Sequence, residues 1–339
     1  MNSSSKKSVL LSKKKASKSI LNIQKGQVLF LFNFLLLMGL LIGFSLIVKE
    51  KDPIYEPSET EVVTKNQFLG FKKLLDPISY YPVNKDIYPL QNVSAKASII
   101  VDLDSLVTIY EKNADLRLFP ASTTKIMTAV IALENYKQDT VLNVGNIKVD
   151  GSTINLVAGE KVTVENLLYG LLIASANDTA EVLADNFPGG REAFISAMNN
   201  KAIDLNLKNS NFTNPIGYDE EGHFSSARDL ATLSIYAIQN PFFDKVVSMT
   251  DYSFTDTEGK YLHNIKTTNE LIGKIDGIKG IKTGWTENAG GCLVGLVEKN
   301  GKKEITVLLG SDDRFGETEK LIAWVFDNFN WEIILPAIH

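Results

Sequence analysis

The sequence PASTTKIMTAVIAL, residues 120–133, opens with a polar turn and continues as an almost entirely apolar run. Ser122 and Lys125 stand three residues apart, so on a helix their side chains lie on one face within mutual reach. A serine hydroxyl is a poor nucleophile until a base removes its proton. A lysine amine can be that base only when it is neutral, which burial and a neighbouring cation both favour. The same spacing recurs at Ser3 and Lys6 in the N-terminal tail, so the rest of the chain must decide whether this pair is catalytic.

Composition and charge limit the class of protein. The 339 residues are 22% charged and 44% hydrophobic, which is typical of a globular protein. Residues 1–27 hold seven lysines and no acid, so the net charge of −5 leaves −5 − 7 = −12 on the rest of the chain. An acidic body lacks the clustered Lys and Arg that a nucleic-acid surface needs, so we predict no nucleic-acid partner. The single cysteine, Cys292, allows no intrachain disulfide.

The N-terminal part predicts a membrane anchor. Residues 28–48 carry no charge, and at roughly 1.5 Å per residue a helix of this length spans the hydrocarbon core of a bilayer. The lysines of the preceding tail, residues 1–27, predict a cytoplasmic N-terminus and an extracytoplasmic body. A cleaved signal peptide is the alternative, but no A-x-A-like cleavage site follows the apolar run. We therefore predict a single-pass cell-membrane protein with an uncleaved signal anchor. Its proline-rich stretch at 49–92 is expected to be a stalk or linker.

The body, predicted at 93–331, has strand patterns at both ends and helix patterns in the middle; residues 332–339 form a predicted C-terminal tail. A hairpin is expected from two β-rich runs separated by a polar turn. Strands from both ends joined in one sheet around a helical middle indicate a single α+β domain. The expected strands are 97–102, 107–111, 252–255, 278–283, 291–298 and 304–310, and the expected helices are 122–133, 164–173, 179–186, 194–205, 226–238 and 315–329.

Three short motifs occur in order along this body. They are STTK at 122–125, SAN at 175–177 and KTG at 282–284, and the first residues of successive motifs are 53 and 107 positions apart. Each motif is weak alone, but their order resembles the S-x-x-K, S-x-N and K-T-G signature of the penicillin-binding and serine β-lactamase superfamily. Further stretches resemble the low-molecular-mass D-alanyl-D-alanine carboxypeptidases, peptidase family S11, over roughly residues 95–330: YEKNAD at 110–115, SSARD at 225–229, GIKTGWT at 280–286 and AGG at 289–291.

The resemblance implies a fold and a reaction. The fold would be the serine β-lactamase/transpeptidase-like one, an antiparallel sheet flanked by helices with an all-helical subregion. The reaction would be removal of the terminal D-alanine from peptidoglycan stem peptides through an acyl-enzyme on Ser122, with β-lactam antibiotics as covalent inhibitors. Lys125 would accept the proton of Ser122, its pKa lowered by burial and by Lys282 nearby. Ser175 would relay a proton to the leaving amine.

The same resemblance implies a set of substrate-binding residues and no metal or organic cofactor. Positive charge would meet the terminal carboxylate of the substrate, two threonine hydroxyls would donate to it, and a glycine would let the substrate approach as an added strand. An asparagine would bind the substrate amide or orient the lysine base, and an oxyanion hole would use the backbone N–H groups of Ser122 and of the residue after the KTG motif. These residues are Asn177, Lys282, Thr283, Gly284, Trp285, Thr286 and Arg314. Trp285 departs from the family, which more often has histidine there.

Several alternatives stay open at this point. A class A β-lactamase would add a glutamate in an E-x-x-L-N stretch, and none lies between the second and third motifs. A catalytically silent penicillin-binding or sensing wall protein, a transpeptidase and an endopeptidase share the same motifs. A zinc peptidase is disfavoured because His223 and His263 stand 40 residues apart with no H-E-x-x-H motif. We interpret His223 as structural and Cys292 as core filling. Many relatives carry a C-terminal anchor, and we expect the segment at 28–48 to replace it here.

Overall fold

The computed structural model describes residues 80–90 and 92–333. The predicted anchor, the basic tail, most of the predicted linker and residues 334–339 lie outside the described residues. Within the described ranges, no helix is both long enough and apolar enough to cross a membrane.

A five-stranded antiparallel sheet joins strands from both ends of the body, as the sequence predicts. Its strand order is β3-β2-β10-β9-β8, and three two-stranded ribbons, β1–β11, β4–β5 and β6–β7, accompany it in the described part of the chain. The strands are β1 Tyr80–Asn84, β2 Ala97–Asp102, β3 Thr108–Lys112, β4 Val141–Asn143, β5 Lys161–Thr163, β6 Asp251–Thr255, β7 Leu262–Lys266, β8 Ile278–Thr286, β9 Gly290–Lys299, β10 Lys302–Ser311 and β11 Phe329–Ile333.

The apolar run after the STTK motif forms the central helix of the body. A 3-10 turn at Ala121–Thr124 leads directly into this helix, and every residue from Lys125 to Ala132 is buried. A helix that is buried on all sides must be surrounded by other elements, and here these are largely helices. The described helices are α1 Lys125–Asn135, α2 Val164–Leu172, α3 Asn177–Asp185, α4 Gly190–Asp204, α5 Ala227–Ala237, α6 Pro241–Val247 and α7 Arg314–Asn328.

Both faces of the sheet are covered, which explains why β2 is buried at every position. Successive side chains of a strand point to opposite faces. Ile99 therefore belongs to the large core under the helical region, whereas Ile100 packs with Leu321 and Val325 of α7 in a second, smaller core. Helix α5 contacts β2 and β10, and α7 contacts β9 and β10. The result is a sheet between two helical layers, with β8 left as a sheet edge.

Among the residues that the structure describes, six elements were not included in the sequence-based expectations. Residues 80–84, placed in the linker by the sequence, form β1 and pair with β11 along its whole length. The compact body therefore begins before residue 93. The sequence-based expectations also lacked the helix α6 and the strands β4, β5, β7 and β11. Helix α5 begins as the capping-box spacing predicts, because the Ser226 hydroxyl accepts a hydrogen bond from the backbone N–H of Asp229.

Candidate active site

The turn that carries Ser122 has a strained backbone. Ala121, the preceding residue, has φ of 48°, in the left-handed region that a residue with a Cβ rarely adopts. The segment around Gly217 packs tightly against this turn and fixes its conformation, since a Cβ at Gly217 would lie 1.9 Å from the carbonyl oxygen of Ala121. The Thr123 hydroxyl closes the turn by donating to the Pro120 carbonyl at 2.6 Å. Strain of this kind is held in place by surrounding structure and clusters at functional sites.

Lys125 lies one turn further along, with its amine beside the serine. Its Nζ is 2.9 Å from Ser122 Oγ, 2.7 Å from Asn177 Oδ1 and 2.9 Å from the carbonyl oxygen of Ile216. A neutral amine has two protons and one lone pair. The amide oxygen and the backbone carbonyl can only accept, so they take the two protons, and the lone pair is left facing the Ser122 hydroxyl.

The electrostatic surroundings of Lys125 favour this neutral form. Burial, and after it the charge of Lys282, holds the pKa of Lys125 well below its usual range, although the carboxylates of Asp178 and Glu181 act in the opposite direction. Burial and the charge of Arg314 lower the pKa of Lys282 to about 7. Burial penalises an ammonium group most when no carboxylate is in contact with it. The site is thus built to keep at least one lysine amine unprotonated near neutral pH.

The SAN motif forms the sharp connection between helices α2 and α3. Ser175 has φ of 58° and is 5% exposed. Two residues later Asn177 begins α3, and its Nδ2 donates to the Asp150 carbonyl at 2.5 Å while its Oδ1 accepts from Lys125. Since Nδ2 must be the atom that faces a carbonyl, the orientation of this amide is fixed. Of the two roles that the sequence left open for Asn177, the structure shows the contact that orients Lys125.

The KTG motif lies on the edge strand β8, directly against the nucleophile turn. A Cβ at Gly284 would lie 2.8 Å from the backbone nitrogen of Ser122 and 3.0 Å from the Cβ of Ala121, so this contact requires glycine. Lys282 is buried, and its Nζ donates to the carbonyl of its neighbour Thr283 at 3.0 Å. The three motifs, far apart in sequence, therefore meet at one place, as the sequence predicts.

The two threonines of this strand differ in what they can offer a ligand. The Thr283 hydroxyl is 2.9 Å from the hydroxyl of Thr268, and either oxygen can donate. Thr286 Oγ1 instead donates to the Asp219 carboxylate at 2.8 Å and accepts from the Ala289 backbone N–H. The single proton of the Thr286 hydroxyl is therefore already used. The expected donation from Thr286 to a substrate carboxylate does not fit this arrangement.

Trp285 and Arg314 lie at the same end of the sheet. The indole of Trp285 is 63% exposed, so this side chain presents an aromatic surface to solvent. Arg314 is the first residue of α7, and its guanidinium lies 4.6 Å above the ring of Phe315. Its Nε is buried without a hydrogen-bond partner in the described chain, and neither Arg314 nor Lys282 forms an ion pair there. Two cations without an anion leave room for a carboxylate ligand.

Sequence reasoning missed the contacts that support the motifs, although it assigned His223 a structural role. The Ile216 carbonyl binds Lys125 through its backbone, which no residue pattern reveals. His223 supports the nucleophile turn through a hydrogen bond to Thr124. Its Nδ1 accepts from the Thr213 backbone N–H, so in the neutral imidazole Nε2 carries the proton and donates to the Thr124 hydroxyl at 2.9 Å. Burial lowers the pKa of His223 to about 4, which agrees with the structural role predicted for it. Burial likewise raises the pKa of the Cys292 thiol to about 11, as expected for a core residue.

Comparison with known proteins gives a consistent picture. Residues 84–313 match the Peptidase_S11 family model, described as D-alanyl-D-alanine carboxypeptidase. Among curated relatives, D-alanyl-D-alanine carboxypeptidase DacF of Bacillus subtilis is 34% identical over 252 residues, which are 69% of this chain and 63% of DacF. DacC of Escherichia coli is 33% identical over 72% of this chain and 64% of its own. The chain thus spans less than two thirds of the length of these two relatives.

Solved structures extend the likeness to the fold. The crystal structure of the Streptomyces K15 DD-transpeptidase is 30% identical and has a TM-score of 0.67, with 71% of this chain and all of that chain covered. Penicillin-binding protein D2 of Listeria monocytogenes, solved in the ampicillin-bound form, is 31% identical with a TM-score of 0.63, covering 70% of this chain and all of that one. The predicted transpeptidase-like α+β fold is confirmed for the body.

Proposed function

Because the chain belongs to the D-alanyl-D-alanine carboxypeptidase family, peptidase S11, we propose that it is a serine-type D-Ala-D-Ala carboxypeptidase. It would remove the terminal D-alanine from peptidoglycan stem peptides. One observation carries this proposal: Lys125 Nζ lies 2.7 Å from Asn177 Oδ1, 2.9 Å from the Ile216 carbonyl oxygen and 2.9 Å from Ser122 Oγ, so a neutral amine that donates to the two acceptors directs its lone pair at Ser122. A serine beside an unprotonated, buried lysine is an activated nucleophile.

The first step is acylation of Ser122. Its Oγ attacks the carbonyl carbon of the D-Ala-D-Ala peptide bond while its proton moves to Lys125 Nζ. Collapse of the tetrahedral intermediate breaks the C–N bond, and the departing D-alanine amine takes the proton that Lys125 received, which leaves Lys125 neutral again. Ser175, in the strained turn just before Asn177, is the residue we assign to that proton transfer. Water then attacks the ester carbonyl and gives a proton to Lys125. The ester C–O bond breaks, the shortened peptide leaves as its carboxylic acid, and the proton on Lys125 restores the Ser122 hydroxyl.

Lys282 and Arg314 are the groups we assign to the terminal carboxylate of the substrate. Both are cationic side chains without an ion-pair partner in the described residues, and the charge of Arg314 acts on the amine of Lys282. A carboxylate placed between them would satisfy the buried Nε of Arg314 and raise the pKa of Lys282. Thr283, whose hydroxyl can rotate away from Thr268, would add a neutral donor.

The free edge of β8 is the surface we assign to the substrate backbone. Gly284 brings this strand to within contact of the Ser122 backbone, so a peptide added along the edge would place its carbonyl close to the nucleophile. The backbone N–H groups of Ser122 and Trp285 would form the oxyanion hole, a role that needs no particular side chain at Trp285.

Transfer of the acyl group to an amine is a second candidate activity. One related protein favours it, since the K15 enzyme is described as a DD-transpeptidase. A Pseudomonas aeruginosa relative, 32% identical, is described as a D-alanyl-D-alanine endopeptidase, which favours hydrolysis at an internal bond as a third activity. The carboxypeptidase, transpeptidase and endopeptidase reactions share the acyl-enzyme. They differ in which peptide bond of the substrate is cleaved to form it, or in whether water or an amine then attacks it. β-Lactams would acylate the same serine, as the ampicillin-bound form of the Listeria relative suggests.

The proposed location is the outer face of the cytoplasmic membrane. The uncharged segment at 28–48, with a lysine-only flank before it, supports a single-pass anchor with the catalytic body outside the cytoplasm. Peptidoglycan stem peptides are found on that side.

Product analysis tests the proposed reaction. The protein is incubated with a Nα,Nε-diacetylated Lys-D-Ala-D-Ala tripeptide, and free D-alanine and the dipeptide product are measured, with and without a D-amino acid as acceptor. We expect D-alanine release that the Ser122→Ala variant lacks. Exchange of the terminal residue for the acceptor in preference to hydrolysis would favour the transpeptidase. Release of no D-alanine under either condition would contradict both.

A further inference from the structure

A buried pair of titratable side chains, His263 of β7 and Glu160, lies outside the three motifs. The Nε2 atom of His263 is 3.0 Å from Glu160 Oε2, and its Nδ1 is 3.1 Å from the carbonyl oxygen of Ile154. Both residues are buried. A carbonyl can only accept, so Nδ1 carries a proton. The contact between Nε2 and Oε2 is a hydrogen bond only if one of these two atoms carries a second proton. The pair is therefore a complete hydrogen-bonded unit.

This pair holds a loop that has no regular secondary structure. The loop runs from residue 144 to residue 160, between β4 and β5. Glu160 Oε1 accepts from the Val157 backbone N–H at 2.6 Å, and His263 holds the loop at Ile154. Asp178 of α3 accepts from the N–H groups of Ile154 and Leu156 on the other side. Side chains thus replace the ladder hydrogen bonds that a loop lacks.

The same loop holds Asn177. The Ser152 carbonyl accepts from the Asn177 backbone N–H at 2.7 Å, and the Asp150 carbonyl accepts from its side-chain Nδ2 at 2.5 Å. A Cβ at Gly151 would lie 3.0 Å from the same Nδ2, so the loop backbone also limits where the amide can move. With Nδ2 fixed in this way, Oδ1 is left facing Lys125.

We propose that His263 and Glu160 are positioning residues of the active site: by fixing the loop at 144–160 they orient the Asn177 amide, and through it the amine of Lys125. Neither residue contacts the reacting atoms. The positioning role rests on the proposed function, because it acts on the base of the acyl-enzyme reaction. Without His263 the Ile154 carbonyl loses its donor, and without Glu160 the Val157 N–H loses its acceptor. The bonds to Asp178 are then left to hold this part of the loop. The loosened loop gives water access to the amide and to the lysine.

The effect on Lys125 has a definite sign. Its amine is kept neutral by burial and by Lys282, against Asp178 and Glu181. Entry of water removes part of the burial penalty, so the pKa of Lys125 moves up toward its ordinary value. A larger fraction of the enzyme then carries a protonated, inactive base at a given pH. The acidic limb of the acylation profile should therefore move to higher pH.

Acylation of the full chain by a fluorescent penicillin, followed over a range of pH, tests the proposal. His263→Phe removes both hydrogen bonds at similar volume, and we expect a second-order acylation rate constant lower by about 10- to 100-fold, the range for a displacement near 1 Å. We also expect its acidic limb to lie at higher pH. His263→Gln is the second variant, since it keeps a polar side chain and can bond only one of the two partners.

Conservative and matched variants separate positioning from stability. Glu160→Gln can accept from Val157 and donate to a neutral His263, so it should retain acylation within about threefold. Glu160→Ala should behave like His263→Phe. Lys161→Met is the matched control. Lys161 is next in sequence to Glu160, and its exposed ion pair with Glu258 joins β5 to the β6–β7 turn. That control should leave both the rate constant and the limb unchanged.

The outcomes are distinguishable. A wild-type chain that penicillin does not acylate would contradict the proposed function itself. Wild-type acylation together with folded His263→Gln or Glu160→Ala protein that keeps the wild-type rate constant and acidic limb would overturn the positioning role. A lowered rate constant with an unmoved limb in every folded variant would also overturn it, since loss of stability alone does not alter the ionisation of Lys125. If His263→Phe does not fold, the other two variants decide.

Discussion

Replacing Glu304 with glutamine is expected to stabilise the folded chain at alkaline pH. Glu304 of β10 lies directly opposite Asp102 of β2, and both carboxyl groups are buried. Asp102 accepts hydrogen bonds from Trp331 Nε1 and from Ser105, whereas neither carboxylate oxygen of Glu304 has a partner in the described chain. A buried carboxylate without a partner costs free energy, and a second negative charge opposite it adds to that cost.

The size and sign of the effect follow from proton binding. Burial, and then the charge of Asp102, raises the pKa of Glu304 from 4.5 to about 8. Between these values the folded state holds a proton that the unfolded state has lost. The free energy of unfolding therefore falls as the pH rises from about 4.5, and it levels off above about 8. At ~1.4 kcal/mol per pH unit the full interval corresponds to about 5 kcal/mol as an upper bound, and we expect about 2 to 3 kcal/mol because the surroundings of a buried charge relax when it forms.

Urea unfolding followed by tryptophan fluorescence at pH 5 and pH 9 measures the effect. Glu304→Gln should match the wild type at pH 5, where both side chains are neutral, and exceed it by about 2 to 3 kcal/mol at pH 9. Glu319→Gln, an exposed glutamate of α7, is the control that removes one charge without burial. If the difference in the free energy of unfolding between Glu304→Gln and the wild type is the same at pH 5 and pH 9, the reasoning is refuted.

Four further changes address the site and the anchor. Gly284→Ala should lower the acylation rate constant about 100-fold, because its Cβ would lie 2.8 Å from the Ser122 nitrogen and push β8 away; stopped-flow acylation checks this, and a rate constant near that of wild type would contradict it. Trp285→His should change acylation by less than about threefold, since the exposed indole is not part of the Ser122 and Lys125 contacts. The value of kcat/KM for a D-Ala-D-Ala peptide should fall as the pH rises through about 7, where free Lys282 loses its charge, and Lys282→Arg should flatten that fall. Deleting residues 1–50 should give a soluble, active body, and recovery of that protein in the membrane fraction would contradict the anchor assignment.

The sequence was sufficient for elements whose pattern is local. The apolar run after Lys125 predicts the buried helix α1, and the helix closing the body at Arg314–Asn328 was placed within one residue at each end. The order of the three motifs was enough to predict that they meet. In each case the signal is the period of the apolar residues or a motif with a known structural context.

Elements defined by distant partners were not predictable in this way. The strand β1 lies in a proline-rich stretch and is a strand because β11, about 250 residues later, pairs with it. Strand β7 reads LHNIK, whose polar residues hide the alternation. Helix α6 did carry a local signal, since Asn240 caps it and Pro241 stands at its first position.

The candidate site shows the same division. Residue types identify Ser122 and Lys125, but the acceptors that direct the amine depend on folding. The Ile216 carbonyl is backbone, and the loop that fixes Asn177 is held by His263, which is 86 positions away along the chain. A sequence motif records the groups that perform the chemistry. Groups that orient them leave no local pattern, because their effect depends on contacts formed only in the folded chain.

Intact-mass spectrometry of the protein with benzylpenicillin, beside the Ser122→Ala variant, tests the central claim most directly. The claim is that Ser122, activated by Lys125, forms an acyl-enzyme. We expect a mass increase of one penicillin in the wild type and none in Ser122→Ala, with slow loss of the adduct, since rapid loss would indicate a β-lactamase. An adduct that persists in Ser122→Ala, or no adduct in the wild type under any condition, would contradict the account.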